Sequence, residues 1–253
     1  MAEIIVSTGR GGTGKSTFAT LASAYLKSPT LLIDLDPDES LADMLGIDIT
    51  SQGLSTISDK LYEILEASKS TKKDADLSVE SMLAIVEKEC LYRGENGVDL
   101  IVLGAKLTKG CYCIPDDVLK SIIPKMMANY AYVVIDSPAG LEHLNRKVVS
   151  DVDYFFVVLD PSSKSLQHIG RIRDIAAELK ITYRNFYLLA DCFFSEEDQE
   201  HFRNSGEELL GHVAFDPDVA AYNLAGKSLL TLPADSPASL SVKKILEKAN
   251  LIQ

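Results

Sequence analysis

A glycine-rich segment near the start of the chain constrains its fold more than any other feature. Residues Gly9 to Ser16 read GRGGTGKS and fit the pattern G-x-x-x-x-G-K-[ST] in full. An apolar run, Glu3–Thr8, precedes this segment, and an amphipathic run, Lys15–Lys27, follows it. In this strand–loop–helix context, backbone N–H groups curl around a phosphate at the N-terminus of the helix. The segment therefore predicts a phosphate-binding loop and a nucleotide ligand.

Two side chains of the loop carry specific expectations. Lys15 is expected to reach the β- and γ-phosphates of the nucleotide, and the Ser16 hydroxyl is expected to bind Mg²⁺. The glycines allow backbone N–H groups to approach the phosphates closely. The predicted nucleotide-binding residues of the loop are Gly11, Gly12, Thr13, Gly14, Lys15, Ser16 and Thr17.

Short apolar runs alternate with longer amphipathic ones along the rest of the chain. Most of the apolar runs are nearly continuous, which is typical of strands buried on both faces. Because strands alternate with helices, we expect βαβ units and an α/β fold, with a mainly parallel β-sheet flanked by helices on both faces. The predicted strands are Glu3–Thr8, Thr30–Leu35, Val98–Gly104, Ala131–Ile135, Asp153–Leu159, Asn185–Ala190 and Gly211–Phe215. The predicted helices are Lys15–Lys27, Val79–Tyr92, Asp116–Asn129, Ser165–Leu179 and Pro237–Ala249.

One stretch, from about Ile49 to Gly97, breaks this alternation because it contains no predicted strand. The middle of the stretch, Ala67–Asp76, is polar. We interpret the stretch as an inserted, mostly helical region with an exposed loop. The length of 253 residues suits one domain, so we expect residues 1–253 to form a single domain that includes this insertion.

The formal net charge of −12 limits the partners of the protein. An acidic surface repels nucleic-acid phosphates and anionic lipid headgroups, so broad electrostatic binding to either is not expected. The most apolar run, Tyr154–Leu159, is too short to cross a bilayer, and the N-terminus lacks the pattern of a signal peptide. We therefore expect a cytoplasmic protein without a nucleic-acid partner and without stable membrane insertion.

Two acidic residues lie where predicted strands end. Asp36 follows the second strand, and Asp136 follows the fourth. The carboxyl ends of parallel strands meet at one edge of the sheet, where ligands bind. Asp136 is therefore the candidate to hold Mg²⁺ directly or through water, Asp36 the candidate to orient the attacking water, and the Gly140 N–H a candidate for the γ-phosphate. Alternatively, either aspartate caps a helix.

The segments GRGGTGKST, DLDP and DSPAG together resemble the deviant Walker A ATPases. That family includes the MinD-type cell-division and ParA-type plasmid-partition ATPases and the nitrogenase iron protein. The resemblance covers nearly the whole chain and implies a P-loop NTPase fold of the SIMIBI class, ATP with Mg²⁺ as cofactors, and nucleotide-dependent homodimerisation.

This chain departs from the family at the signature lysine, which follows the first glycine of the loop, because Arg10 occupies that place. Arginine keeps the charge and offers a better fork for phosphate. We expect Arg10 to act on the nucleotide of a partner subunit. The alternative is an arginine that contacts only its own loop or solvent.

A cysteine pair, Cys111 and Cys113, follows the third predicted strand. Residues i and i+2 of an extended segment point the same way, so both thiols can face one metal ion. Two thiolates do not complete a tetrahedral site, whereas two such pairs across a dimer axis supply four ligands. Spacing alone leaves open two incidental buried cysteines or a redox pair.

The segments GCYC, YVVID, AGLEHL and VVLDPS resemble the CooC-type accessory ATPases of carbon monoxide dehydrogenase. These are nickel-insertion ATPases whose C-x-C pair binds nickel or zinc between two subunits. The resemblance implies Ni²⁺ or Zn²⁺ at Cys111 and Cys113 and a client metalloenzyme such as carbon monoxide dehydrogenase. Two alternatives stay open: a positioning or partition ATPase, and an iron–sulfur reductase-like ATPase with a four-cysteine cluster.

Loose alignment with the superfamily places Asp191 where an asparagine often binds adenine. A carboxylate only accepts hydrogen bonds, so it can pair with N6 of adenine or with N1 and N2 of guanine. Asp191 therefore leaves the choice of base open, and ATP is favoured by the family resemblance. The segment Phe215–Asp218, with Pro217, is expected to form the other wall of the base pocket.

Overall fold

The structure is a computed structural model that describes residues 2–71, 78–104, 113–138, 149–204 and 207–253, without the side chains of residues 69–71 and 113–119. In these ranges the strands are β1 (Glu3–Gly9), β2 (Thr30–Asp34), β3 (Leu91–Tyr92), β4 (Val98–Val102), β5 (Tyr132–Asp136), β6 (Asp151–Leu159), β7 (Thr182–Ala190) and β8 (Leu209–His212). They form one sheet in the order β3-β4-β2-β5-β1-β6-β7-β8. Only β3 runs antiparallel to its neighbour. The predicted mainly parallel α/β fold is confirmed.

Helices cover both faces of this sheet. Within the described ranges they are α1 (Lys15–Ser23), α2 (Ser40–Met44), α3 (Ile57–Thr71), α4 (Val79–Glu89), α5 (Cys113–Met127), α6 (Ser163–Glu178), α7 (Glu196–Asn204), α8 (Pro217–Leu224) and α9 (Pro237–Lys248), with a 3₁₀ turn at Leu229–Thr231. None of the helices in those ranges has the length and apolarity that a membrane span requires.

The apolar residues of the central strands divide between two cores. Successive side chains of a strand point to opposite faces, so Ile5 of β1 packs with α1, α2 and α9, whereas Val6 packs with α3 to α7. In the same way, Leu31 and Leu32 of β2 contribute to different cores. This double burial explains why the strands read as continuous apolar runs rather than alternating ones.

The prediction that residues 49–97 contain no strand was wrong. Leu91–Tyr92 forms β3, which pairs antiparallel with β4 at the edge of the sheet. The helix predicted to reach Tyr92 therefore ends at Glu89. Two residues are too few to show a strand period, and the apolar Leu91 extends the helical pattern that precedes it. The single-domain description with a helical insertion stays a prediction.

The last strand begins two residues and ends three residues earlier than predicted, because β8 is Leu209–His212 and not Gly211–Phe215. Val213 is buried beyond the end of the strand, and Phe215 is 65% exposed. Their apolar side chains belong to the loop that leads to α8. Apolarity alone therefore misplaced the strand.

We expect the replacement of Leu32 by alanine to lower the free energy of unfolding by about 2–5 kcal/mol, because it removes buried methyl groups and leaves a cavity. Leu32 is fully buried in β2, whereas Leu224, at the end of α8, is 92% exposed. The matched control Leu224→Ala should change stability by less than about 0.5 kcal/mol. Urea unfolding measures both variants, and equal losses would contradict this assignment of the core.

Candidate nucleotide-binding site

The predicted phosphate-binding loop connects β1 to α1 at the carboxyl edge of the sheet. Gly12 and Gly14 have φ angles of 80° and 84°, a backbone region that favours glycine. Gly14 is the N-cap residue of α1, and no side chain caps this end of the helix. The first N–H groups of α1 therefore have no side-chain acceptor, so that they can bind an anion.

Two side chains of the loop fold back over it. The Lys15 ammonium donates to the Arg10 carbonyl at 3.3 Å, and the Thr13 hydroxyl donates to the same oxygen at 2.9 Å. Lys15 is only 6% exposed, although lysine is among the residue types that are least often buried. The loop thus holds a lysine charge against its own backbone, beside the open end of α1.

Ser16 and Asp136, which the sequence assigned to one Mg²⁺ site, lie in direct contact. The Ser16 hydroxyl donates to Asp136 Oδ2 at 2.5 Å. Asp136 Oδ1 is buried and has no hydrogen-bond partner among the residues that the structure describes. Burial raises the pKa of Asp136 to about 7, against the opposing effects of the Ser16 hydrogen bond and the Lys15 charge. An orphaned carboxylate oxygen beside a hydroxyl matches the oxygen ligands that Mg²⁺ prefers.

Asp34 is a buried residue of the site that the sequence analysis did not single out. It lies opposite Asp136 in the β2–β5 register, and its two carboxylate oxygens accept the N–H groups of Asp36 at 2.9 Å and Leu41 at 2.8 Å. Burial and the nearby Asp136 charge raise its pKa to about 7. Asp34 therefore fixes the loop that carries Asp36. The signal was a charged residue inside a buried strand, which an apolar period does not explain.

Asp36 lies at the same edge of the sheet and is half-buried. Its carboxylate accepts the N–H of Asp38 at 3.1 Å. It is close enough to Asp136 to raise the pKa of that residue further. The structure thus brings Asp36 and Asp136 to one place.

Arg10 pairs with a loop that lies 150 residues further along the chain. Its Nη1 donates to Asp160 Oδ2 at 2.6 Å and to the Ser162 hydroxyl at 3.0 Å. Both partners follow β6, the strand beside β1. The alternative in which Arg10 contacts only its own loop or solvent is therefore wrong. Sequence reasoning assigned no role to Asp160, because nothing in its local pattern points to the loop.

A cleft of about 260 Å³ opens between the phosphate loop and the ends of β7 and β8. Asp191, directly after β7, is 3% exposed and accepts the Phe193 N–H at 2.9 Å. Burial raises its pKa to about 6. The side chains of Phe193 and Phe215 are 68% and 65% exposed at the cleft. In the described ranges the cleft is lined by Gly12, Thr13, Gly14, Thr17, Asp191, Cys192, Phe193, Val213, Ala214, Phe215, Asp216, Val219, Ala220, Asn223 and Ala238.

The far wall of the cleft, opposite the phosphate loop, is held together by hydrogen bonds to Asp216. This residue caps α8 by accepting the Asp218 N–H, and it also accepts the Ser236 hydroxyl at 2.5 Å beside the start of α9. Pro217 occupies the first turn of α8 and is not among the described residues that line the cleft. Its neighbours Phe215 and Asp216 form the wall instead.

The remaining predicted site residues lie outside the described residues. These are Gly140 and Cys111, together with the side chain of Cys113, whose backbone begins α5. Elsewhere in the described part of the chain, no three His, Cys, Asp or Glu side chains form a metal-binding group. Cys90 is 3% exposed, and burial raises its thiol pKa to about 12, so it acts as a small core residue.

Comparison with known proteins shows the family to which the chain belongs. The AAA domain family matches residues 1–186, nearly three quarters of the chain. The chain belongs to the AAA domain family. Among relatives of this AAA domain protein is an uncharacterized ATP-binding protein of Methanocaldococcus jannaschii, 31% identical over 97% of each chain. Carbon monoxide dehydrogenase accessory protein CooC of Rhodospirillum rubrum is 28% identical over 92% of this chain and 90% of its own.

Solved structures show the same fold as this AAA domain protein. The septum site-determining protein MinD of Pyrococcus horikoshii, complexed with Mg-ADP, has a TM-score of 0.68 at 20% identity and covers 99% of this chain and 96% of its own. A putative plasmid partition protein of Borrelia burgdorferi, bound to AMPPNP, has a TM-score of 0.70 at 19% identity and 99% coverage of both chains. The resemblance to the MinD and ParA type is confirmed at the level of fold, and the CooC type is not singled out.

Gly9, at the end of β1, should not tolerate a side chain. A Cβ atom there would lie 2.2 Å from the Val158 carbonyl oxygen of β6, and the residue has a φ of 149°. We expect Gly9→Ala to lower the free energy of unfolding by about 1–3 kcal/mol through overpacking. The control Gly11→Ala meets no atom within 4 Å and should fold normally. Thermal unfolding measures both, and equal melting temperatures would contradict this contact.

Proposed function

We propose that this chain is an Mg²⁺-dependent ATP hydrolase that forms a nucleotide-dependent homodimer and assists nickel insertion into a metalloenzyme. The observation that carries the hydrolase is the convergence of Lys15, Ser16 and Asp136 beside the uncapped N-terminus of α1. Family membership and the ATP-binding relative support the choice of ATP. The cytoplasm suits such a protein, because its thiols stay reduced there.

In this proposal the phosphate loop binds the nucleotide through its backbone. The N–H groups of Gly11, Gly12, Thr13 and Gly14, with those of the first turn of α1, would surround the phosphates. Lys15 would exchange the Arg10 carbonyl for phosphate oxygens. Ser16 and Asp136 would hold Mg²⁺, which neutralises phosphate charge when bound. Thr17 and the Gly140 N–H complete the proposed contacts.

Two charged residues would act on the reaction itself. Asp36 is held at the carboxyl edge by Asp34 and would orient the attacking water. Arg10 would stabilise phosphate charge on the nucleotide of the second subunit, as trans-acting arginines do in other P-loop enzymes. Both side chains lie at the carboxyl edge of the sheet, Asp36 after β2 and Arg10 in the phosphate loop, and both are partly exposed.

The base would occupy the cleft beside the loop. Asp191 would accept a hydrogen bond from an exocyclic amino group of the base, and Phe193 and Phe215 offer aromatic faces for stacking. Two exposed phenylalanines at one cleft are costly in water, which supports a bound planar ring there. Pro217 would contribute by fixing the start of α8 rather than by contact.

We expect Lys15→Ala to lose nucleotide binding and to reduce ATP turnover by at least about 10²-fold, because it removes a charge aimed at the phosphates. Asp36→Ala should still bind nucleotide but hydrolyse it roughly 10²-fold more slowly. The exposed neighbour Asp38 provides a control, and Asp38→Ala should retain activity. Phosphate release and equilibrium nucleotide binding are measured for each variant. Normal turnover by Lys15→Ala would refute the proposed hydrolase.

The metal part of the proposal depends on Cys111 and Cys113. Its support is the similarity to a carbon monoxide dehydrogenase accessory protein over most of both chains. Two thiolates from each subunit would hold one Ni²⁺ or Zn²⁺ at the dimer axis. The client would then be a nickel enzyme of the carbon monoxide dehydrogenase kind. A positioning or partition role is supported only by likeness of fold and is not proposed.

We expect about one Ni²⁺ per two chains in the nucleotide-bound dimer, because four thiolates complete one tetrahedral site. Affinity should fall as pH falls, since thiols must lose protons to bind metal. Cys111→Ser or Cys113→Ser should abolish tight binding, whereas the control Cys90→Ala should not. Titration with Ni²⁺ in the apo, ADP and non-hydrolysable ATP states measures this. One ion per chain, or an affinity indifferent to dimerisation, would contradict the bridging site.

A further inference from the structure

The Asp160 carboxylate lies at the centre of a hydrogen-bonded cluster at the end of β6. It accepts the Ser165 hydroxyl at 2.6 Å and the Arg10 guanidinium at 2.6 Å, and it also accepts the Ser162 hydroxyl. Burial alone would raise the pKa of Asp160, but the two hydroxyls and the Arg10 charge outweigh it and lower the pKa. The carboxylate is therefore ionised and held in place by the first turn of α6.

Arg10 uses only part of its guanidinium in this cluster. Both of its side-chain contacts among the described residues go through Nη1. Nε and Nη2 make no hydrogen bond to that part of the chain, and the side chain is 35% exposed. A guanidinium has five N–H donors in a fixed fork, and those on Nε and Nη2 are not used by the described residues and can bind another anion.

A second arginine pair in the same chain shows a different arrangement. Arg173 binds Glu207 through two parallel hydrogen bonds, Nη1 to Oε1 at 2.7 Å and Nη2 to Oε2 at 3.0 Å. That bidentate geometry occupies the arginine fork on a carboxylate. The Arg10–Asp160 pair instead fixes one nitrogen and leaves the fork open. An ion pair that served only to neutralise charge would gain from the bidentate geometry.

We propose that Asp160 is a positioning residue that pre-orients Arg10 to bind a phosphate of the nucleotide held by a second copy of this chain. This inference rests on the proposed nucleotide-dependent dimer. The Ser162 and Ser165 hydroxyls both bond Asp160 Oδ1, whereas Arg10 bonds Oδ2, so the carboxylate stays anchored to the start of α6 when the guanidinium meets a second anion. A free arginine loses side-chain entropy when it binds, and an anchored one has already lost most of it.

The test is a double-mutant cycle on Arg10 and Asp160 in the full-length protein. Asp160→Asn keeps the size of the side chain but removes the charge, and Arg10→Ala removes the group that Asp160 is proposed to position. ATP turnover and KM are measured for the two single variants and the double variant. Dimer dissociation constants are measured by sedimentation in AMPPNP with Mg²⁺. Glu207→Gln, which breaks the bidentate pair away from the loop, is the matched control.

We expect Asp160→Asn to lower kcat by about ten- to a hundredfold through misplacement of Arg10, with little change in KM. The dimer dissociation constant should rise about three- to tenfold. In the Arg10→Ala background, Asp160→Asn should have no further effect on either quantity. Glu207→Gln should match the wild type.

Additive effects in the double variant would show that Asp160 acts independently of Arg10 and would overturn the inference. Wild-type or faster turnover and unweakened dimers in Asp160→Asn would also overturn it, since the pair would then be neutral or a restraint. Should Asp160→Asn unfold, Ser162→Ala removes the second Arg10 acceptor, and an unchanged dimer constant there would count against the inference. Absence of wild-type turnover would refute the proposed hydrolase, while the dimer constants would still decide the role of Asp160.

Discussion

The parallel pairing of β1, β2 and β5 is the constraint on which the rest of the site depends. It sets Asp34 and Asp136 opposite each other and ends β1 at the phosphate loop. Since both faces of these strands are buried, a slip in register would move charged residues into an apolar core. The same packing that stabilises the sheet therefore fixes the distances at its carboxyl edge.

That arrangement keeps two carboxylates out of water in adjacent strands. Because their pKa values are raised, both groups hold their protons in the folded protein over a pH range in which the unfolded chain has lost them. The two groups therefore lower stability progressively as the pH rises from 3.8 to about 7, with no further loss above that. Asp34 offsets part of the cost with two backbone N–H groups, whereas Asp136 has one hydroxyl and an orphaned oxygen. Because Asp136 has an oxygen without a hydrogen-bond partner among the described residues and Asp34 has none, Asp136 is the better suited of the two to bind a cation.

Sequence reasoning found the parts of the site whose chemistry is local. The phosphate loop follows from spacing within eight residues, and Asp136 follows from its place at the end of an apolar run. The Arg10–Asp160 pair joins residues 150 positions apart, and only the β1–β6 neighbourhood brings them together. The strand β3 was missed because two residues carry no period. Phe215 was wrongly predicted to lie in a strand, because apolarity in the sequence does not distinguish a side chain buried in a sheet from one exposed at a cleft.

The brace at Asp216 has a consequence for how the protein is made. The cleft beside the phosphate loop takes its far wall from α8 and from Ala238 of α9, which Asp216 ties together near Ser236. Residues at the two ends of the sequence are thus both needed, and Tyr25 after α1 also bonds Ser239 of α9 at 2.7 Å. A ribosome-bound chain exposes its phosphate loop long before α9 emerges. The nascent protein therefore lacks a complete cleft until Ala238 has been synthesised and has left the ribosome.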